Sequence, residues 1–180
     1  LVPKGNPAPG NIYNCYHEKM PTISYQTHVQ NIGWQGYVGN GGISGTSGRS
    51  LRLEAINIQL DNGVVGGYVV YQTHIQDLGW SNWTSNGHVS GTSGQSLRLE
   101  AIRIKLDGYI SELYDIYYRV HCQDIGWTGW TANGEPAGSE GYSYRLEAIE
   151  IRLIRKGDPT PEIDYNAFHL NPLPQLFISE

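Results

Sequence analysis

An all-β body with pseudo-threefold symmetry is the fold class this sequence predicts, and three observations carry the prediction. A stretch from Tyr25 to Trp34 returns from Tyr71 to Trp80 and again, more loosely, from Tyr118 to Trp127. A closing phrase at 51–60 returns at 97–106 and 144–153. The distance from opening tyrosine to closing glutamate is constant, from Tyr25 to Glu54, Tyr71 to Glu100 and Tyr118 to Glu147, so the one-residue difference in period falls after Leu106. Self-similarity at about 46 residues marks one supersecondary unit used three times.

The first segment of the unit alternates as a half-buried strand does, with Tyr25, Thr27 and Val29 on one face and Gln26, His28 and Gln30 on the other. Tyr71, Thr73 and Ile75, then Tyr118, Val120 and Cys122, keep the inward face. Next comes a Gly-rich stretch with Asn40-Gly41, Asn86-Gly87 and Asn133-Gly134, which predicts a tight hairpin of type I′, where both central residues have positive φ. In the closing strand Ile56, Ile58 and Leu60 face inward, while Asn57 and Gln59, or Arg103 and Lys105 in the second copy, face solvent. Leu51 and Leu53 are out of phase with Ile56 and Ile58, which predicts a bulge near Ala55. A turn near Asp61-Asn62-Gly63 leads to the next unit.

Two long and two short strands per unit give about twelve strands in one closed domain. A β-trefoil-like plan, long strands in a barrel and short hairpins capping it, is preferred; a β-prism of three four-stranded sheets is the alternative. The expected organisation is a linker at 1–22, one domain at 23–153 built of units 23–60, 69–106 and 116–153, and a Pro-rich apolar tail at 154–180. Phe168, Leu170, Leu173, Leu176 and Phe177 predict that the tail packs on its own body or on a neighbour, which would make a homo-oligomer.

Composition narrows the function classes. Gly 23 and Pro 9 in 180 residues suit short strands and turns more than helices. Tyr 13 and Trp 5 against Phe 2 favours aromatics with a polar handle, the kind used on wet binding surfaces. A net charge of −5 with no Lys/Arg cluster argues against nucleic acid or an anionic membrane as the main partner. No stretch reaches the length of a membrane span, and residues 1–20 lack the apolar core of a signal peptide. Cys122 stands where other copies have Val29 and Ile75, so a buried apolar role is expected, ahead of a disulfide with Cys15.

His28, His74 and His121 recur with Arg52, Arg98, Arg145 and Glu54, Glu100, Glu147. A polar network that locks the strands is the preferred reading over a catalytic or ligand-contacting one, since an enzyme rarely needs three equivalent sites. No Cys/His ligand spacing points to a metal, no nucleophile stands beside a base, and no cofactor motif is present. The aromatics are the better candidates. Trp34, Trp80 and Trp127 end the first long strand, and Tyr37, Trp83 and Trp130 follow three residues later. An indole suits stacking on a sugar ring. The invariant set is expected to be mostly buried and the exchanging Tyr/Trp set to form the ligand surface, with Asn40, Asn86 and Asn133 adding polar contacts.

The opening Tyr-x-x-His-x-Gln-x-x-Gly-Trp and the finish Arg-Leu-Glu-Ala-Ile-x-Ile-x-Leu resemble the ChW repeat, named as clostridial, hydrophobic and carrying a tryptophan after glycine. That glycine and tryptophan fall at Gly33-Trp34, Gly79-Trp80 and Gly126-Trp127; the third copy departs at Arg119-Val120 and lacks the Gly-Thr-Ser-Gly of the others. The resemblance implies a non-catalytic repeat of secreted or surface proteins of Gram-positive bacteria and of phage endolysins. By that resemblance the expected function is a cell-wall-binding module that recognises a wall polysaccharide, peptidoglycan or teichoic-type polymer and targets an attached lytic enzyme. Its expected place is extracellular or wall-associated. A protein-interaction or adhesion module on the cell surface is the alternative.

Overall fold

A computed structural model describes residues 19–63 and 65–171. The first unit comprises β1 (Thr22–Val29), β2 (Gly33–Trp34), β3 (Val38–Gly39), β4 (Ile43–Gly45) and β5 (Leu53–Asp61). The second repeats this as β6 (Tyr68–Ile75), β7 (Gly79–Trp80), β8 (Thr84–Ser85), β9 (Val89–Gly91) and β10 (Leu99–Asp107). After a one-turn helix α1 (Ile110–Leu113) the third follows as β11 (Tyr114–Cys122), β12 (Gly126–Trp127), β13 (Thr131–Ala132), β14 (Ala137–Glu140) and β15 (Leu146–Arg155), with a last short strand β16 (Phe168–Leu170). The extra residue of the period lies in the linker that carries α1, whose Ile110 is fully buried. Each unit has five strands instead of four, because the return from the first long strand is split into two-residue pieces that both pair with it.

The ladders fall into three sheets, each a long antiparallel hairpin plus a strand lent by another unit. β9 of the second unit pairs with β5 of the first, β14 of the third with β10 of the second, and β4 of the first with β15 of the third. The exchange closes into a ring. The all-β, three-unit body follows the sequence reading, and its three ladders are consistent with a trefoil- or prism-like arrangement.

Alternation in β1 is strict, with Ile23, Tyr25, Thr27 and Val29 buried between half-exposed neighbours. Register slips at the predicted bulge: His28 faces Ala55 but Val29 faces Leu53, leaving Glu54 without a cross-strand partner. Glu100 and Glu147 are skipped in the same way. The bulge lets Leu53 and Ile56 both point inward.

Three buried tyrosines tie the units together. Tyr71 Oη accepts the Ile58 N–H of the preceding unit at 3.1 Å and donates to the His88 carbonyl of its own. Tyr118 accepts from Ile104 at 3.0 Å and donates to Glu135, and Tyr25 accepts from Ile151 at 2.9 Å and donates to Gly42. The last of these joins the first unit to the third. Beside each tyrosine the lent strand comes so close that only glycine fits: a Cβ on Gly91 would stand 2.4 Å from the Glu54 carbonyl and 2.7 Å from Ala55 Cα. Gly45 and Gly138 meet Ala148 and Ala101 in the same way, which explains both the glycine of the short strand and the alanine after each bulge.

The tight turns are present, but only one has the expected type. Asn133 and Gly134 both have positive φ, as type I′ requires; Asn40 and Asn86 do not, and only Gly41 and Gly87 after them do, the sign pattern of type II. The tail does pack on the body: β16 pairs in parallel with β14, and Ile163 bridges to Trp130. Leu173, Leu176, Phe177 and Cys15 lie outside the described residues. Cys122 is buried as expected, 3.8 Å from Ser139 Oγ, and burial pushes its thiol up to about 11.

Two outcomes test the tyrosine lock. Tyr71→Phe leaves the Ile58 N–H buried without an acceptor and is expected to cost about 1–3 kcal/mol in chemical denaturation. Burial raises the Tyr71 and Tyr25 phenols to about 12. A raised phenol keeps its stabilising share intact below the unfolded value near 10, so stability is expected to hold to about pH 10 and to fall between there and about pH 12 in alkaline titration.

Candidate functional site

The solvent-facing side of each long hairpin carries the aromatic pair. Trp34 is held by pairing to His28, with its indole edge-on to the imidazole at 5.6 Å and 81°. Trp80 on His74 and Trp127 on His121 repeat this at 5.4 Å and 5.6 Å. These tryptophans are largely covered, as expected, but are not core residues: Trp34 is 38% exposed, and Trp80 and Trp127 are intermediate. Pairing with the outward histidine puts them on the outer face, while the core position is taken by the tyrosine three residues before that histidine. Tyr37 at 44% and Trp83 at 42% exposure form the expected second aromatic; Trp130 is more covered because the tail lies against it.

Beneath each first tryptophan lies the polar triplet. Glu54 accepts from Arg52 Nε at 2.9 Å and stands 3.1 Å from His28 Nδ1. Glu100 with Arg98 and His74, and Glu147 with Arg145 and His121, repeat it. The imidazole nitrogens are within ion-pair distance but off the hydrogen-bonding direction, so each Nδ1 has no hydrogen-bond partner among the described residues. All three glutamates are buried at their bulges, and the triplet orients the imidazole that supports the tryptophan. Burial pushes the Glu100 carboxyl up, but the facing His74 imidazole and the Arg98 guanidinium outweigh it and hold it below the usual range.

The asparagines are spoken for. Asn40 spans the Leu153 backbone, donating to its carbonyl at 3.2 Å and accepting its N–H at 2.7 Å, and Asn86 does the same at Leu60. Asn133, in its different turn, accepts from Ile116 and donates to Asp115 instead. Their side chains join strands and leave little for a ligand.

Sequence reasoning missed the cations under the indoles. Arg103 lies 4.5 Å from the Trp80 ring and Lys105 4.8 Å from that of Trp83. Arg119 stacks on both Trp127 and Trp130, and Arg152 on Trp130, while both guanidiniums clamp buried Glu150 at 2.9 Å. In the first unit, Tyr37 Oη instead donates to Asn57 at 3.1 Å and accepts from Gln59 at 2.8 Å, so outward Asn57 is buried. The signal was the outward pair of each closing strand, Asn57/Gln59, Arg103/Lys105 and Glu150/Arg152, which changes charge from unit to unit. A groove of about 500 Å³ lies between Arg119, Trp130 and the tail residues Ile163, Asp164 and Tyr165. Among the described residues no group of three or more His, Cys, Asp or Glu is placed to hold a metal, and no helix is long and apolar enough to cross a membrane.

The triplet predicts a measurable weakness. Glu100→Gln leaves Arg98 with a weaker, neutral acceptor and is expected to cost about 1–3 kcal/mol at neutral pH in urea denaturation. Because the Glu100 carboxyl is depressed, its share is present above the ordinary carboxylate range and is lost as pH falls through the folded value. The cost of the substitution is therefore expected to shrink in acid.

Searches of curated proteins and of solved structures each found no match to the chain. A family model described as "Clostridial hydrophobic W" matches residues 28–62, 74–108 and 121–155, together more than half of the sequence. Each match starts at the histidine under the tryptophan and runs through the bulge to the end of the closing strand. The chain belongs to the ChW repeat family, a non-enzymatic repeat module, in three copies.

Proposed function

We propose that the protein is a non-catalytic binding module for a bacterial cell-wall polymer, a polysaccharide or peptidoglycan, and that it brings an attached lytic enzyme to its substrate. The observation that carries this reading is the aromatic pair held half-exposed on the outer face of every sheet: Trp34 with Tyr37, Trp80 with Trp83, Trp127 with Trp130. Flat rings fixed from below by an imidazole or a cation suit the apolar faces of sugar rings. The family is one often thought to bind cell-surface components. Repetition fits a repeating polymer: sites of millimolar strength, about 4 kcal/mol each, hold well when linked, because later contacts become intramolecular. On this reading the protein works outside the cell or on the wall.

A protein-interaction role has one observation in its favour. The chain's own tail lies against Trp130 as an extended segment, so a peptide can occupy the third aromatic surface.

Purified protein is expected to sediment with intact Gram-positive walls and to lose retention when wall polysaccharides are stripped. Tyr37→Ala, Trp83→Ala and Trp130→Ala are each expected to weaken retention about three- to tenfold, and jointly by much more. Failure to bind walls of a broad strain panel contradicts the proposal. Retention by a protein partner after glycan digestion favours the peptide reading.

A further inference from the structure

We propose that the outer face of the second sheet is an anion subsite, formed by Arg103 and Lys105 beside Trp80 and Trp83, for a phosphate or carboxylate carried on a sugar or polyol. The inference rests on the wall-polymer reading above and names the chemistry of one of its surfaces.

The three faces are built alike and charged differently. At the positions of Arg103 and Lys105 the first unit has Asn57 and Gln59, neutral and both hydrogen-bonded to Tyr37. The third has Glu150 and Arg152, and there Arg119 and Arg152 share the one buried carboxylate, which cancels half of their charge. In the second unit both positions are cations, and the cross-strand partner of Arg103 is neutral Gln72. Among the described residues no carboxylate lies within ion-pair distance of Arg103 or Lys105. The nearby carboxylate, Glu140, receives the Trp80 indole N–H at 3.3 Å and stands 3.8 Å from His74 Nε2.

Stacking on an indole holds a cation in place but cancels none of its charge. Among the described residues no acceptor meets the buried Arg103 Nε either, so no protein group tempers this guanidinium, and an anion would form the charge-assisted bonds that it lacks at its outer N–H groups. Residues two apart on a strand share a face with a spacing of about 7 Å, which a phosphodiester or a carboxylated sugar can bridge. The exposed ring of Trp83 then serves the sugar.

The test compares wild type with Arg103→Gln, Lys105→Gln and the double variant, using exposed Arg49→Gln as a charge control. Binding to intact walls is measured across a salt series. Parallel samples use walls freed of phosphodiester polymers by hydrofluoric acid, and walls with amidated carboxylates. Each single variant is expected to weaken binding about five- to tenfold at low salt, and the double variant to lose most of the salt dependence, with Arg49→Gln unchanged. Lys105 is exposed, so its variant reports on the site even if Arg103→Gln unfolds. Loss on acid-treated walls assigns a phosphate, and loss on amidated walls a carboxylate. Wall binding with unchanged affinity and salt dependence in Lys105→Gln and in a folded double variant overturns the subsite but spares the wall-polymer reading. If wild type binds no wall, tryptophan fluorescence with poly(glycerol phosphate) and polygalacturonate decides: a response lost in Lys105→Gln supports the subsite, and no response to either overturns it.

Discussion

A phenol hydroxyl set into the backbone of a neighbouring strand is the constraint on which this structure depends. Tyr25, Tyr71 and Tyr118 each accept the N–H of an isoleucine in another unit and donate a hydrogen bond to a carbonyl in the turn of their own short hairpin. The hydroxyl therefore fixes where the hairpin lies, and the hairpin brings in the strand that completes the neighbouring sheet. At that approach there is room for glycine on one strand and alanine on the other, and no more. A unit folded alone would expose an open sheet edge and leave its closing-strand isoleucine N–H without the tyrosine acceptor, so the units stabilise one another around a closed ring.

The same arrangement leaves the outside of each sheet free to vary. Inward positions are committed to the tyrosine, the isoleucines and the bulge, so they repeat almost without change. The triplet of arginine, glutamate and histidine spends its polar groups within the unit and holds the first tryptophan at a fixed height above the sheet. What remains open to specialisation is the outward pair on the closing strand and the second aromatic. There the units diverge: a hydrogen-bonded neutral face, a face with two cations that have no ion-pair partner among the described residues, and a face in which two arginines are tied to one buried glutamate. One scaffold thus presents three chemically different surfaces, a property suited to a polymer whose repeating unit has more than one kind of group.

Much of this was legible in the sequence because it is local and periodic. The alternation from Tyr25 to Val29 gave the strand faces, and the phase change between Leu53 and Ile56 located the bulge where Glu54 is skipped. What was not legible depended on contacts between units. Asn40 and Leu153 meet only because the ring closes, so the asparagine looked available until the turn was placed. The tryptophans are largely covered, as their invariance suggested, yet they lie on the outer face against the histidine and not in the core, a placement that the repeat alone does not reveal. The stacked cations were visible as outward Arg and Lys but carried no sign of their indole partners, which come from a different strand.

The central claim is that the ring is closed by Tyr25 at Ile151 as firmly as it is joined at the other two seams. Native-state hydrogen exchange of the Ile58, Ile104 and Ile151 amides measures this directly. The account predicts that all three exchange only through global unfolding, with the same free energy and the same response to low denaturant. Exchange of Ile151 by a separate opening well below the global value would show an open chain of three units, and would contradict it.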